Sequence, residues 1–111
     1  MNTKAKGSRL ERALKNKLKE RGFLAIRSSA SLFPDVIAIR PDIDKCLIKD
    51  FCCGICSRCN FRKKVYIFEC KYDGYLSKEE KAKLKHIADA YDALCFVAFM
   101  LNRKMKVMPL E

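Results

Sequence analysis

Val65-Tyr66-Ile67-Phe68-Glu69-Cys70-Lys71 is an apolar run that turns charged at its end. Val, Ile and the aromatic residues favour a strand, and a strand sends alternate side chains to opposite faces. Glu69 and Lys71 therefore project the same way, roughly 7 Å apart. Val65 and Ile67 share that face, so a mostly apolar strip ends in a carboxylate and an ammonium. Bringing charge to the rim of a core is costly, and it recurs where a site requires it. Upstream, Pro34-Asp35 stands before a second apolar run, Val36-Ile37-Ala38-Ile39.

The elements around this strand follow from local signals. Ser8-Arg9-Leu10-Glu11 fits a capping box, Leu10, Leu14 and Leu18 recur at helical spacing, and Gly22 stops that helix. Residues 1–7, polar and basic, read as a mobile arm ahead of it. Phe23 to Arg27 reads as a first strand, followed by the small-residue turn Ser28-Ser29-Ala30-Ser31. Val36 to Arg40 is a second strand, closed by Pro41. Residues 42–63 form a charged, cysteine-rich insertion without periodicity, and Lys64 to Lys71 is the third strand. After a turn at Asp73-Gly74, Ser77-Lys78-Glu79-Glu80 offers a second capping box, opening a helix with Leu84, Ile87, Ala88 and Tyr91 on one stripe. Leu94 to Met100 and Met105 to Met108 are strands joined by a turn at Asn102-Arg103. The order α-β-β-β-α-β-β predicts an α/β fold with a mixed central sheet of about five strands flanked by two helices. It reads as a single domain over residues 1–111.

At 111 residues the chain can bury one modest core but not two. Twenty-four Lys and Arg against thirteen Asp and Glu give a net charge of +11, a field that favours a polyanion, with nucleic acid the first candidate. No apolar run approaches the ~20 residues of a membrane span and no signal-peptide pattern opens the chain. A soluble, cytoplasmic protein without a membrane partner is therefore expected. Lys4, Lys6, Arg9 and Arg12 gather at the start of the first helix, and Arg27 with Ser29 borders the turn before Asp35. Such groups hold phosphates without reading bases. The lysines from Lys78 to Lys85 read as ordinary solvated charge.

Hydrolysis of a phosphodiester calls for a divalent ion, an attacking water and neutralisation of charge at phosphorus. Mg²⁺ takes hard oxygen ligands, which Asp35, Glu69 and the main-chain carbonyl of Cys70 can supply, and Mn²⁺ can substitute. Lys71 would orient the water or meet the phosphate charge. Glu11, on the inward side of its helix, has two readings: a capping box with Ser8, or a hold on a second ion or a metal-bound water. Asp35 alone is a common turn acid, and Glu69 with Lys71 alone is a strand-end ion pair. Taken jointly in a strongly cationic chain of this topology, they read as a metal-dependent nuclease site.

Several stretches together resemble the archaeal-type Holliday junction resolvases. They are Lys6-Gly7-Ser8-Arg9-Leu10-Glu11-Arg12, Gly22-Phe23 with Ile26-Arg27, the serine-rich turn before Pro34-Asp35-Val36-Ile37-Ala38, and Phe68-Glu69-Cys70-Lys71. The resemblance spans nearly the whole chain apart from the insertion. It implies a restriction-endonuclease-like core of the PD-(D/E)xK nuclease superfamily, Mg²⁺ dependence, a homodimer, and resolution of four-way DNA junctions by paired symmetric nicks. On the resemblance Glu11, Asp35, Glu69 and Lys71 are the catalytic set, and the site serine is Ser31, with Ser29 the other choice. The turn between Arg27 and Pro34 is shorter than in cellular members, and the chain ends soon after its last strand. Short resolvase-like proteins occur among archaeal viruses, so an archaeal cell or a virus-infected archaeal host is the expected setting. Two symmetric incisions also require two active sites, which a twofold pair supplies, with the second helix and the terminal strands as candidate pairing surfaces.

Five of the seven cysteines lie in the insertion: Cys53, Cys56 and Cys59 at two-residue spacings, with Cys52 or Cys46 as a nearby fourth. Structural Zn²⁺, an iron–sulfur centre, disulfides and free thiols all fit that pattern. His86 reads as surface or packing, and Cys70 and Cys95 as small core residues. Two rival functions remain open. One is a related nuclease acting on other DNA structures; the other is a non-catalytic DNA-binding module that docks through the cysteine loop.

Overall fold

Leu10, Leu14 and Leu18, spaced four apart, form a buried seam along α1 (Thr3–Glu20). Full burial of Leu14 and Leu18 contributes roughly 1.5–3 kcal/mol each. The computed structural model describes residues 3–28, 34–41, 47 and 63–110. Beyond α1 it contains β1 (Leu24–Arg27), β2 (Val36–Ile39), β3 (Val65–Cys70), α2 (Lys78–Ala90), β4 (Ala93–Leu101) and β5 (Lys104–Pro109). The helix begins at Thr3, so residues 3–7 are helical backbone rather than a mobile arm, and Ser8 lies inside the helix instead of capping it. Lys4, Ala5 and Lys6 are good helix formers, and the helix continues through Gly7 into the Ser-x-x-Glu pattern.

Gly22 ends α1 as expected. Its φ is +98°, its N–H donates to the Lys19 carbonyl, and the Phe23 N–H donates to the Leu18 carbonyl, both at 3.0 Å. That pairing is the Schellman closure, and its apolar residue, Phe23, is buried against Tyr66 with ring centroids 5.2 Å apart. The helix end thus delivers the chain directly into β1.

The strands lie in the order β1-β2-β3-β4-β5, antiparallel except for the parallel β3–β4 pair that α2 connects. Alternation along β3 divides the core in two. Tyr66, Phe68 and Cys70 join Phe96, Val107 and the α1 leucines on one face. Ile67 joins Val97, Leu84 and Ala88 on the other, beneath α2. Leu47, within the insertion, is buried on the α1 side. A mixed five-stranded sheet with a helix over each face is the α/β architecture that the sequence pattern predicts.

α2 starts with a complete capping box. The Ser77 hydroxyl accepts from the Glu80 N–H and a Glu80 carboxylate oxygen accepts from the Ser77 N–H, both at 3.1 Å. Leu84 and Ala88 are buried as expected, but Tyr91 is not, with 72% of its surface exposed. The helix ends at Ala90, and Asp92 turns the chain with φ +53° before the helical period can carry Tyr91 inward. Tyr91 instead rims an open apolar groove of about 560 Å³ with Ile37, Ile39, Val65, Ile67 and Ile87. Asn102 and Arg103, with φ of +51° and +63°, form the two-residue turn between β4 and β5.

Candidate active site

The β2–β3 register sets Val36 opposite Phe68, so one step further Asp35 comes level with Glu69. Three hydrogen bonds hold Asp35 there. The Ser28 N–H and hydroxyl both donate to its carbonyl, at 2.9 and 3.3 Å, and the Cys70 N–H donates to its Oδ2 at 2.8 Å. A turn acid is thereby anchored to the end of the central strand.

Glu69 is 4% exposed, and its Oε1 is buried without a hydrogen-bond partner among the described residues. Burial pushes its carboxyl up to about 9, with a hydrogen bond from Asp35 and the charge of Asp35 adding to the rise and Lys71 opposing it. Of the two neighbouring carboxyl groups, the buried Glu69 is the one pushed towards its protonated form.

Glu11 reaches the same region from α1. Arg27 donates to Glu11 Oε1 at 3.3 Å and to the Ser8 hydroxyl at 3.4 Å. Ser8 and Glu11 therefore form no capping box; one helical turn apart, they jointly receive the guanidinium. Burial, and then the Asp35 charge, raise the Glu11 pKa against the pull of Arg27. The Cys70 thiol is also pushed up, by burial first and then by the charges of Asp35, Glu11 and Glu69. All three acids are thus near enough to the end of β3 for their charges to act on Cys70.

Lys71 takes its ion pair from outside the predicted set. Its ammonium lies 2.5 Å from Glu80 Oε2, while Glu69 and Asp35 act on it at longer range. The strand-end pair of Glu69 with Lys71 is thus replaced by a pair across the β3–α2 connection. One Glu80 oxygen caps α2 and the other holds Lys71. The sequence marks Glu80 only as a capping residue, and no spacing rule signals its second contact.

Arg9 and Arg12 are exposed on α1, as are His86 and the lysines from Lys78 to Lys85 on α2. The side chains of Lys4 and Lys6 lie outside the description, and Ser29, Ser31, Cys46, Cys52, Cys53, Cys56 and Cys59 lie outside the described residues. Cys70 and Cys95 are free thiols, the first buried and the second half-buried. Among the described residues no group of three or more His, Cys, Asp or Glu side chains is arranged to hold a metal ion. Asp35 and Glu69 form a pair, and Glu11 is engaged by Arg27. Among the described residues, no helix is long and apolar enough to cross a membrane.

The profile of the archaeal Holliday junction resolvase family matches residues 2–48, the stretch that carries Glu11, Arg27 and Asp35. The 1.6 Å structure of a Holliday junction resolvase from the archaeal hyperthermophile Archaeoglobus fulgidus matches the fold with a TM-score of 0.64 at 25% identity. That match covers 95% of this chain and 73% of the Archaeoglobus chain. The chain is thus similar to the archaeal-type Holliday junction resolvases, in sequence over residues 2–48 and in fold over nearly its whole length. Its sheet and two helices are the restriction-endonuclease-like fold of that resolvase family. No curated protein sequence matches the chain. The family profile stops short of β3, so the roles of Glu69 and Lys71 rest on geometry.

Proposed function

We propose that this protein is a structure-selective DNA endonuclease that resolves four-way junctions by paired, symmetric nicks. The observation that carries the reading is the buried Glu69 carboxylate, with one oxygen unpartnered, beside Asp35 at the end of the central strand. Those oxygens suit a hard divalent cation: two adjacent carboxyl groups next to the main chain of Cys70. Asp35, Glu69 and the Cys70 carbonyl would hold Mg²⁺, or Mn²⁺ in its place. When bound, the ion supplies Lewis-acid polarisation of the phosphate and a more acidic attacking water.

The chain's own groups do the rest. Lys71 presents its ammonium to the phosphate on which charge builds. Glu11 orients the Arg27 guanidinium, a cation at the border of the site that can answer phosphate charge. Ser31, or Ser29, supplies the site hydroxyl. Lys4, Lys6, Arg9 and Arg12 grip flanking phosphates, a contact set that answers to the shape and charge of branched DNA rather than to base edges. The enzyme works in the cytoplasm of an archaeal cell or of a virus-infected archaeal host.

Paired incision requires two copies. In a chain of net charge +11, most of the surface repels a second copy. The groove lined by Ile37, Ile39, Val65, Ile67, Ile87 and Tyr91 carries no charge and suits a homodimer contact.

The test is cleavage of labelled four-way junctions beside linear duplexes of the same sequence, with and without Mg²⁺. Paired nicks confined to the junction, lost in Glu69→Ala while junction binding persists, are the expected result. Equal cutting of the duplex would mean a related nuclease of broader substrate. Junction binding with no cleavage in Mg²⁺ or Mn²⁺ would mean a non-catalytic DNA-binding module.

A further inference from the structure

Lys71 carries a long, flexible side chain, and holding such an ammonium in one place costs rotamer entropy. Glu80 is built to offset that cost. Its Oε2 pairs with the Lys71 ammonium at 2.5 Å, and its Oε1 is fixed by the Ser77 N–H at 3.1 Å. The first turn of α2 is anchored in turn by Leu76 and Leu84, both buried in the α2-side core. Glu80 is also close enough for its charge to act on Glu69. A carboxylate gripped by a helix cap is a rigid post, whereas one free on the surface is not.

We infer that Glu80 is a positioning residue of the active site: it acts through Lys71, holding that ammonium beside the Asp35–Glu69 pair. The inference rests on the nuclease reading above and names a residue that reading does not need. The helix-capping role and the positioning role of Glu80 can be separated. Gln at position 80 still serves a capping box but has no charge to hold Lys71. Ser77→Ala loses the cap and leaves the ion-pair partners in place.

The experiment is single-turnover cleavage of a four-way junction by wild type, Glu80→Gln, Ser77→Ala, Lys71→Ala and the double variant Lys71→Ala/Glu80→Gln. Junction affinity in Ca²⁺ and thermal unfolding are measured in parallel. Glu80→Gln is expected to lower the cleavage rate roughly 10- to 100-fold with affinity and melting temperature close to wild type. Ser77→Ala is expected to melt several degrees lower yet cut at the wild-type rate. On the Lys71→Ala background, Glu80→Gln is expected to cost nothing further. That last comparison holds even if the single Glu80 variant is destabilised. A Glu80→Gln enzyme that cuts at the wild-type rate overturns the inference. So do independent, multiplying losses in the double variant, or a Ser77→Ala rate as low as that of Glu80→Gln. If Lys71→Ala itself cuts like wild type, the nuclease site has been misassigned, which is a separate failure.

Discussion

Glu69 shows how one buried carboxyl ties stability to pH. Its pKa is raised by burial and by Asp35, so folding favours the protonated acid. Below the ordinary carboxylate range both folded and unfolded chains are protonated, and the group contributes no pH dependence. As pH rises from about 4.5 towards about 9, the unfolded chain ionises freely while the folded one resists, and stability is lost across that window. Without divalent metal, Glu69→Gln should therefore melt increasingly above wild type as pH climbs from 5 to 9, as followed by circular dichroism. Mg²⁺ should raise the melting point of the wild type, and more at the alkaline end, with little effect on Glu69→Gln. A flat pH profile for the difference between the two proteins would contradict the burial argument. The sequence marks Glu69 and Lys71 by strand alternation and Asp35 by its turn. It does not mark which partners each would take, because Arg27 meets Glu11 and Glu80 meets Lys71 only across elements far apart in the chain.

At the scale of elements, caps and turns were the readable features. Gly22, the Ser77 box and the Asn102-Arg103 turn all occur where short-range rules put them, since each depends on backbone conformation over a few residues. α1 starts earlier than its capping signature for the same reason: Ser-x-x-Glu is a local pattern, and the helix already runs from Thr3 through Gly7 ahead of it. Arg103 bears a testable cost. A non-glycine residue at φ +63° in a turn of this type prefers to be Gly. Arg103→Gly is expected to stabilise the hairpin by about 0.5–1 kcal/mol, which corresponds to a rise of a few degrees in melting temperature. Ser77→Ala should cost about 1 kcal/mol through the lost cap, measured by urea unfolding.

For the whole molecule, charge and pairing decide behaviour. A net charge of +11 implies that junction affinity is dominated by phosphate contacts. If about six phosphates are engaged, raising salt from about 50 to 200 mM should weaken binding by about 10³-fold, as read by fluorescence anisotropy. Sedimentation equilibrium should give twice the 12.8 kDa chain mass. Ile39→Lys, in the uncharged groove, should shift that mass towards one chain and convert paired cuts into single nicks. A monomeric wild type that still makes symmetric cuts would rule out the twofold arrangement.

Composition, period and local turn chemistry were enough to determine the element order, the two-helix sheet architecture and the cationic character, because those properties depend on neighbours along the chain. The parallel pairing of β3 with β4, the gathering of Glu11, Asp35 and Glu69 about the end of β3, and the split duty of Glu80 came only with the folded sheet. Those features depend on register and on contacts between distant segments. Free energies of burial and charge at such contacts are set by three-dimensional surroundings that no spacing rule encodes.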